Sequence, residues 1–156
     1  MFKAFIKYKK QAVNAYKIHS PFVFEFYNEV VQNAGSVDDS EIQNVRKLLL
    51  RNHNEIQVTD LGQGSRKNDQ PIKRISEMVR VQAVSKKYGS LLSRIVEHYK
   101  LETCLELGTS LGFGAAYLAQ FANGVITIEG CENIQKEAMK AWPDVQNVNY
   151  VLGDFK

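Results

Sequence analysis

The C-terminal third of this chain changes period in a fixed order. TCLEL, GVITIE and VNYVLGD are short apolar runs, separated by the small-residue stretch GFGAAYLAQFA and the amphipathic stretch ENIQKEAMKAW. Short runs rich in β-branched residues read as strands, and the stretches between them carry helical spacing. A strand–helix–strand–helix–strand order is met by parallel strands joined by right-handed crossovers. Residues 103–107, 125–129 and 148–152 are therefore expected side by side in the order 3-2-1. The predicted fold class is α/β, a Rossmann-like βαβαβ half of a doubly wound parallel sheet.

The preceding residues have a different texture. Phe2, Phe5, Ile6, Val13 and Tyr16 recur at helical spacing between lysines, which predicts an amphipathic helix covering part of the core; a membrane-surface helix would show the same pattern. In HSPFVFEFYNEVV, Ser20 is placed to cap a helix with Pro21 in its first turn and an apolar face of Phe22, Val23, Phe26, Val30 and Val31. Ser40 with Gln43 matches a capping box opening a third helix. EIQVTD reads as a strand. After the polar loop GQGSRKNDQ and Pro71, Ile72, Ile75, Met78 and Val79 predict a helix, and Ser85 caps another carrying Tyr88, Leu91, Leu92, Ile95, Val96 and Tyr99. This divides the chain into a mainly helical region with one short strand, 1–84, and the half-sheet, 85–156.

Composition narrows the class without choosing a function. The 156 residues are 44% hydrophobic and 24% charged, enough to bury a core, and no apolar run approaches a membrane span or the centre of a signal peptide, so a cytoplasmic protein is expected. Cys104 and Cys131 form neither a disulfide framework nor a metal-ligand spacing and read as reduced thiols. Residues 1–17 hold five lysines and no acid, and residues 62–100 hold nine Lys/Arg against three Asp/Glu. Such runs are usually solvated faces, although an anionic substrate, RNA or a membrane surface would also suit them.

Two strand-to-glycine turns compete for the role of binding loop: CLELGTSLGFGAAYLA at 104–119 and IQVTDLGQGSR at 56–66. A nucleoside-binding half-sheet needs a strand, a glycine turn that lets the ligand touch the backbone, and an acid ending the next strand for the ribose hydroxyls. Only the later turn has all three, because Glu129 ends VITIE 23 residues after Glu106. Thr109, Ser110 and Leu111 separate Gly108 from Gly112, a wider turn than the pyrophosphate-binding G-x-G-x-x-G, and one suited to a ligand without phosphates.

LELGTSLGFGAAYLA, VITIEG and VLGD resemble the first three signature motifs of class I S-adenosylmethionine-dependent methyltransferases. SKKYGSLLSRIVEHYKLETCLELGTSLG is similar to the approach helix and first strand of the catechol and caffeoyl-coenzyme A type of O-methyltransferase. The resemblance covers roughly residues 85–155. It implies S-adenosyl-L-methionine as cofactor and a small-molecule methyl acceptor. Gly108 and Gly112, with Thr109 and Ser110 between them, would let the methionyl part lie on the backbone, and Glu106 would sit under the loop near its ammonium end. Glu129 would accept from both ribose hydroxyls, Gly130 and Cys131 would flank the adenine, and Asp154 would lie close to that ring. Gly114 departs from the pattern, since many members have a hydroxyl residue there.

The sequence assigns no catalytic base and no metal ligand. In the resembling subgroup these groups, including the ligands of a divalent metal, come from the fourth strand onward. The chain is accordingly read as the front of a larger enzyme, inactive by itself. The bare edge of TCLEL would then be covered by IQVTD or by a second copy in a homo-oligomer. An RNA methyltransferase is the alternative that the basic 62–100 region favours, although no nucleic-acid module accompanies it. A non-catalytic nucleotide-binding or interaction domain is the alternative from another class. His19 and the Ser65–Arg66 pair are more simply read as satisfying and turning the backbone than as substrate contacts.

Overall fold

A computed structural model of the chain describes residues 2–12, 17, 19–32, 37–59 and 72–154. Packing divides the chain into two units, 1–35 and 36–156. The loop at 60–71, which includes Gly62, Gly64, Ser65 and Arg66, lies outside the described residues.

The first unit holds α1 (Phe2–Gln11) and α2 (Pro21–Glu25), which continues as a π-helix over Phe26–Gln32. Ser20 caps α2 as expected: its hydroxyl accepts from the Val23 N–H at 3.3 Å, and Pro21 fills the first turn. The predicted apolar faces are mostly not core. Val30 is buried, whereas Phe2, Phe5, Ile6, Phe22, Val23 and Val31 are exposed.

The second unit is the α/β fold. It contains α3 (Ser40–Leu50), β1 (Glu55–Gln57), β2 (Ile72–Arg74), α4 (Ile75–Gln82) and α5 (Lys86–Tyr99). After these come β3 (Thr103–Leu107), α6 (Phe113–Ala119), β4 (Gly124–Glu129), α7 (Glu132–Ala141) and β5 (Val148–Leu152). β3, β4 and β5 form a parallel sheet in that spatial order, the 3-2-1 arrangement read from the sequence. β1 does not cover the free edge of β3; it pairs antiparallel with β2, with Ile56 opposite Lys73. Ile72 therefore belongs to a strand and not to the following helix.

Side chains alternate across the sheet, and paired residues of parallel strands share a face. The rows Cys104–Val125–Val148 and Glu106–Thr127–Tyr150 lie on one face, where Cys104 and Val125 pack with Val96, Ala115 and Ala122. The rows Leu105–Ile126–Asn149 and Leu107–Ile128–Val151 lie on the other, where Leu105 is 62% and Leu107 61% exposed. A larger core joins Ile42 of α3 and Ile75, Met78 and Val79 of α4 to Phe113, Tyr117, Ile134 and Trp142, so α3 and α4 share one core with α6 and α7.

Tyr117 ties three helices together. Its ring is fully buried, and a Cβ built on Gly89 would lie 2.1 Å from it, so glycine at 89 is what lets α5 approach α6. Its hydroxyl donates to Asp39 Oδ2 at 2.9 Å. Asp39 also accepts from Gln43 Nε2 at 2.9 Å and pairs with Lys86 Nζ at 2.7 Å. These contacts replace the predicted capping box. Asp39, not Ser40, is the residue before α3, Gln43 is drawn to the Asp39 side chain, and the Ser40 N–H donates to Asp38 Oδ1 at 3.0 Å. Ser85 does cap α5, accepting from the Tyr88 N–H.

Burial alone would raise the Asp39 carboxyl, but its bonds from Lys86, Tyr117 and Gln43 outweigh that cost and hold its pKa below the ordinary value. Burial and the neighbouring Asp39 push the Tyr117 phenol up to about 12. A carboxyl with a depressed pKa contributes stability above the unfolded value and loses it as pH falls through the folded one. Asp39→Asn is therefore expected to destabilise the protein clearly at pH 7 and progressively less as pH falls below the ordinary carboxyl value of 3.8. Tyr117→Phe is expected to cost about 1.5–3 kcal/mol, the scale of a hydrogen bond to a charged group. Urea denaturation at pH 7 and at a series of lower pH values checks both. Gly89→Ala forces a methyl into the Tyr117 ring and is expected to cost about 1–3 kcal/mol in the same assay.

Candidate functional site at the ends of the parallel strands

The chain leaves β3 through a turn of left-handed backbone. Gly108 has φ +94°, Ser110 +47° and Gly112 +77°. The N–H groups of Gly108 and Thr109 both reach the carbonyl of Ile128 on β4, at 2.9 and 3.2 Å, which folds the turn across the end of the middle strand. The two glycines serve different needs. A Cβ on Gly108 would meet nothing within 4 Å, so on that side the backbone faces open space. A Cβ on Gly112 would lie 2.7 Å from the indole of Trp142, whose Nε1–H donates to the Leu111 carbonyl at 2.8 Å. Glycine at 112 thus makes room for the tryptophan that anchors the turn.

Glu129, at the end of β4, is oriented by the backbone. Its Oε2 accepts from the Ser110 N–H at 2.9 Å and its Oε1 from the Cys131 N–H at 3.1 Å. Each carboxylate oxygen keeps a further lone pair, so the group is fixed in direction and still able to accept from a neighbouring diol. Ser110, whose left-handed φ is costly for a non-glycine residue, is held on both sides, since its hydroxyl also donates to Gln82 Oε1 at 3.1 Å. Gly130 and Cys131 continue from Glu129 into α7, and Cys131 is buried. Asp154 lies just past β5 and is exposed; next to it, the Gly153 N–H donates to the Glu129 carbonyl at 3.0 Å.

Glu106 lies beneath the turn. Thr127 donates to its Oε2 at 2.7 Å, and because that uses the one hydroxyl proton of Thr127, Thr109 is the donor of the 2.6 Å Thr109–Thr127 bond. The carboxylate also accepts from the Ala115 N–H. Gly112, the residue before α6, has no side chain with which to cap the helix, so an acid from the adjacent strand does that work. A Cβ on Gly114 would lie 2.0 Å from Glu106 Oε1, which explains why no hydroxyl residue stands there.

The structure thus brings Glu106, Gly108, Thr109, Ser110, Gly112, Glu129 and Gly130 to one end of the sheet, with Asp154 at the same end of β5. Sequence reasoning missed Thr127, Gln82 and Trp142. Thr127 carries a legible signal, a hydroxyl residue two before Glu129 and hence on the same face of the strand; Gln82 and Trp142 carry none. Among the described residues, no group of three or more His, Cys, Asp or Glu side chains is placed to hold a metal ion.

No protein-family profile matches this sequence, and no curated protein does. Solved structures do. A methyltransferase from Geobacter sulfurreducens superposes over 80% of this chain and 54% of its own, with 12% identity and a TM-score of 0.51. An O-methyltransferase from Bacillus cereus in complex with SAH matches 81% of this chain and 49% of its own, at 18% identity and a TM-score of 0.47. The O-methyltransferase TomG from Streptomyces achromogenes, in complex with SAM, matches 46% and 35%, at 24% identity and 0.44. The chain therefore spans between about a third and about half the length of these structures. At 12% identity the likeness to the Geobacter structure establishes the fold alone, the same one that the motifs lead us to expect.

Burial, with the Glu129 carboxylate as a smaller contributor, pushes the Glu106 pKa above its ordinary value, against the bonds from Thr127 and Ala115. A raised carboxyl binds its proton more readily in the folded chain, so its contribution to stability falls as pH rises from the unfolded value through the folded one. Glu106→Gln removes that titration. Relative to the unaltered chain, the variant is expected to gain stability as pH rises from about 4.5, read by denaturant unfolding at a series of pH values.

Proposed function

We propose that this chain is the cofactor-binding part of a class I S-adenosylmethionine-dependent methyltransferase, and that its acceptor is a hydroxyl of a small molecule. The observation that carries the reading is Glu129, a carboxylate fixed by two backbone N–H groups beside a glycine turn whose Gly108 faces open space. The donor set fits the cofactor. Glu129 has lone pairs left for both ribose hydroxyls, the backbone at 108–110 can lie along the methionyl part, and Gly130 and Cys131 follow Glu129 where the adenine would be flanked, with Asp154 across from them. No pyrophosphate site is needed. Glu106 caps α6 and holds the turn through Thr127 and Thr109, which makes it a positioning residue for the methionyl end.

The bound cofactor would supply a methyl group already activated on a sulfonium, so the protein's share of the chemistry is alignment and exclusion of water. The residues here serve alignment by holding a rigid turn, a carboxylate of fixed direction and a buried hydroxyl chain beneath. Deprotonation of the acceptor would need a base or a metal, a role that none of these site residues is proposed to fill. The methyltransferase class is supported by the motifs at 105–119, 125–130 and 151–154 together with the shared fold; the small-molecule O-acceptor is supported by the resemblance of residues 85–112.

Titration calorimetry with S-adenosylhomocysteine, on the whole protein, tests the reading. Glu129→Ala is expected to weaken binding by about 1.5–3 kcal/mol, the scale of hydrogen bonds to a charged group. An unchanged affinity would remove Glu129 from the ribose and the reading with it.

A further inference from the structure

The first unit presents a basic, aromatic helix that the proposed chemistry does not use. In α1, Phe2, Phe5 and Ile6 stand at i, i+3 and i+4 and so form one stripe, and Lys3, Lys7 and Lys10 at i, i+4 and i+7 form the next. Both stripes are exposed: Phe2 is 75%, Phe5 57% and Ile6 40% accessible. Tyr8, at 69%, extends the apolar side. Lys9 falls between Phe2 and Phe5 around the axis, and its four-carbon stem lets the ammonium leave an apolar surface. No acid occurs before Glu25.

We propose that α1 is a peripheral membrane anchor that lies along anionic bilayers, with Phe2, Phe5 and Ile6 entering the headgroup boundary and Lys3, Lys7 and Lys10 facing acidic lipids. Charge complementarity selects the surface, because a helix with four lysines and no acid of its own attracts a negative leaflet. The adjacent apolar stripe selects a bilayer over a polyanion in solution, since an aliphatic and aromatic ridge gains by leaving water but has no partner on a phosphate backbone. No described helix is long and apolar enough to cross a membrane, and a ten-residue helix is suited to lying on one.

The test is cosedimentation of the full chain with 100 nm vesicles of POPC, or of POPC and POPG at 3:1, at low and high salt. Binding to the POPG vesicles is expected, falling steeply with salt and on neutral POPC. Reversing Lys3, Lys7 and Lys10 to Glu is expected to lower partitioning by more than about a hundredfold, at roughly fivefold per lysine. Phe5→Ser with Ile6→Ser is expected to lower it at least about tenfold. The Phe5/Ile6 variant leaves the charges intact and so reports insertion alone; circular dichroism confirms that each variant is folded, and the salt series on the unaltered chain stands without any variant. Absence of binding to POPG vesicles overturns the proposal. So does binding indifferent to Phe5 and Ile6, or a preference for RNA over POPG vesicles that the same double substitution leaves unchanged.

Discussion

The architecture of the site depends on one shared acceptor. The carbonyl of Ile128 receives the N–H groups of both Gly108 and Thr109, and this draws the chain leaving β3 sideways over the end of β4. Everything near the turn takes its position from that. Ser110 comes within reach of Glu129, Thr109 comes down on Thr127, and Leu111 offers its carbonyl to Trp142. A turn that continued straight off β3 would bring none of these groups together. Left-handed backbone at Ser110 is the conformational cost of the bend, since glycine at 108 and 112 adopts it freely, and the hydrogen bonds on either side of Ser110 offset it.

Beneath the turn, polar groups are arranged as a directed chain. Thr109 donates to Thr127, Thr127 to Glu106, and Glu106 also accepts from the start of α6. Each hydroxyl has one proton to give, so the order of donation is fixed, and a buried carboxylate has enough donors to remain in the core. The face of the sheet that carries this chain is packed under helices. The opposite face, with Leu105, Leu107, Ile126 and Val151, is open in the described residues. The two faces of the same strands therefore differ in the work they do: one is a finished polar scaffold, the other an apolar surface.

Legibility in the sequence followed the range of the interactions. β3, β4, β5 and the helices between them were read from period, because each element shows its own pattern within five to a dozen residues. The ribose carboxylate candidate followed from the same reading, since the strand that ends in Glu129 is itself legible. The β1–β2 hairpin was not, because three-residue strands carry too little pattern and Ile72 continues the helical spacing of Ile75 and Val79. The start of α3 was misread for a related reason. Ser40 and Gln43 match a local cap, but Asp39 is claimed by Tyr117 and Lys86, residues 78 and 47 positions away, and Gln43 follows it. The boundary at residue 84 marked a change of texture, whereas the packing of Ile42, Ile75 and Met78 against Phe113 and Tyr117 crosses it.

Glu106 and Gly114 fill one volume between them. The carboxylate oxygen occupies the place that a Cβ at 114 would take, so the length of the acid and the bareness of the glycine are a single choice made on two separate elements. A shorter acid at 106 would retreat from the helix and leave space for a side chain at 114. In this chain the helix end is therefore closed by an acid borrowed from the strand, and the glycine is what leaves room for it. Altering either residue alone would leave that end either crowded or open.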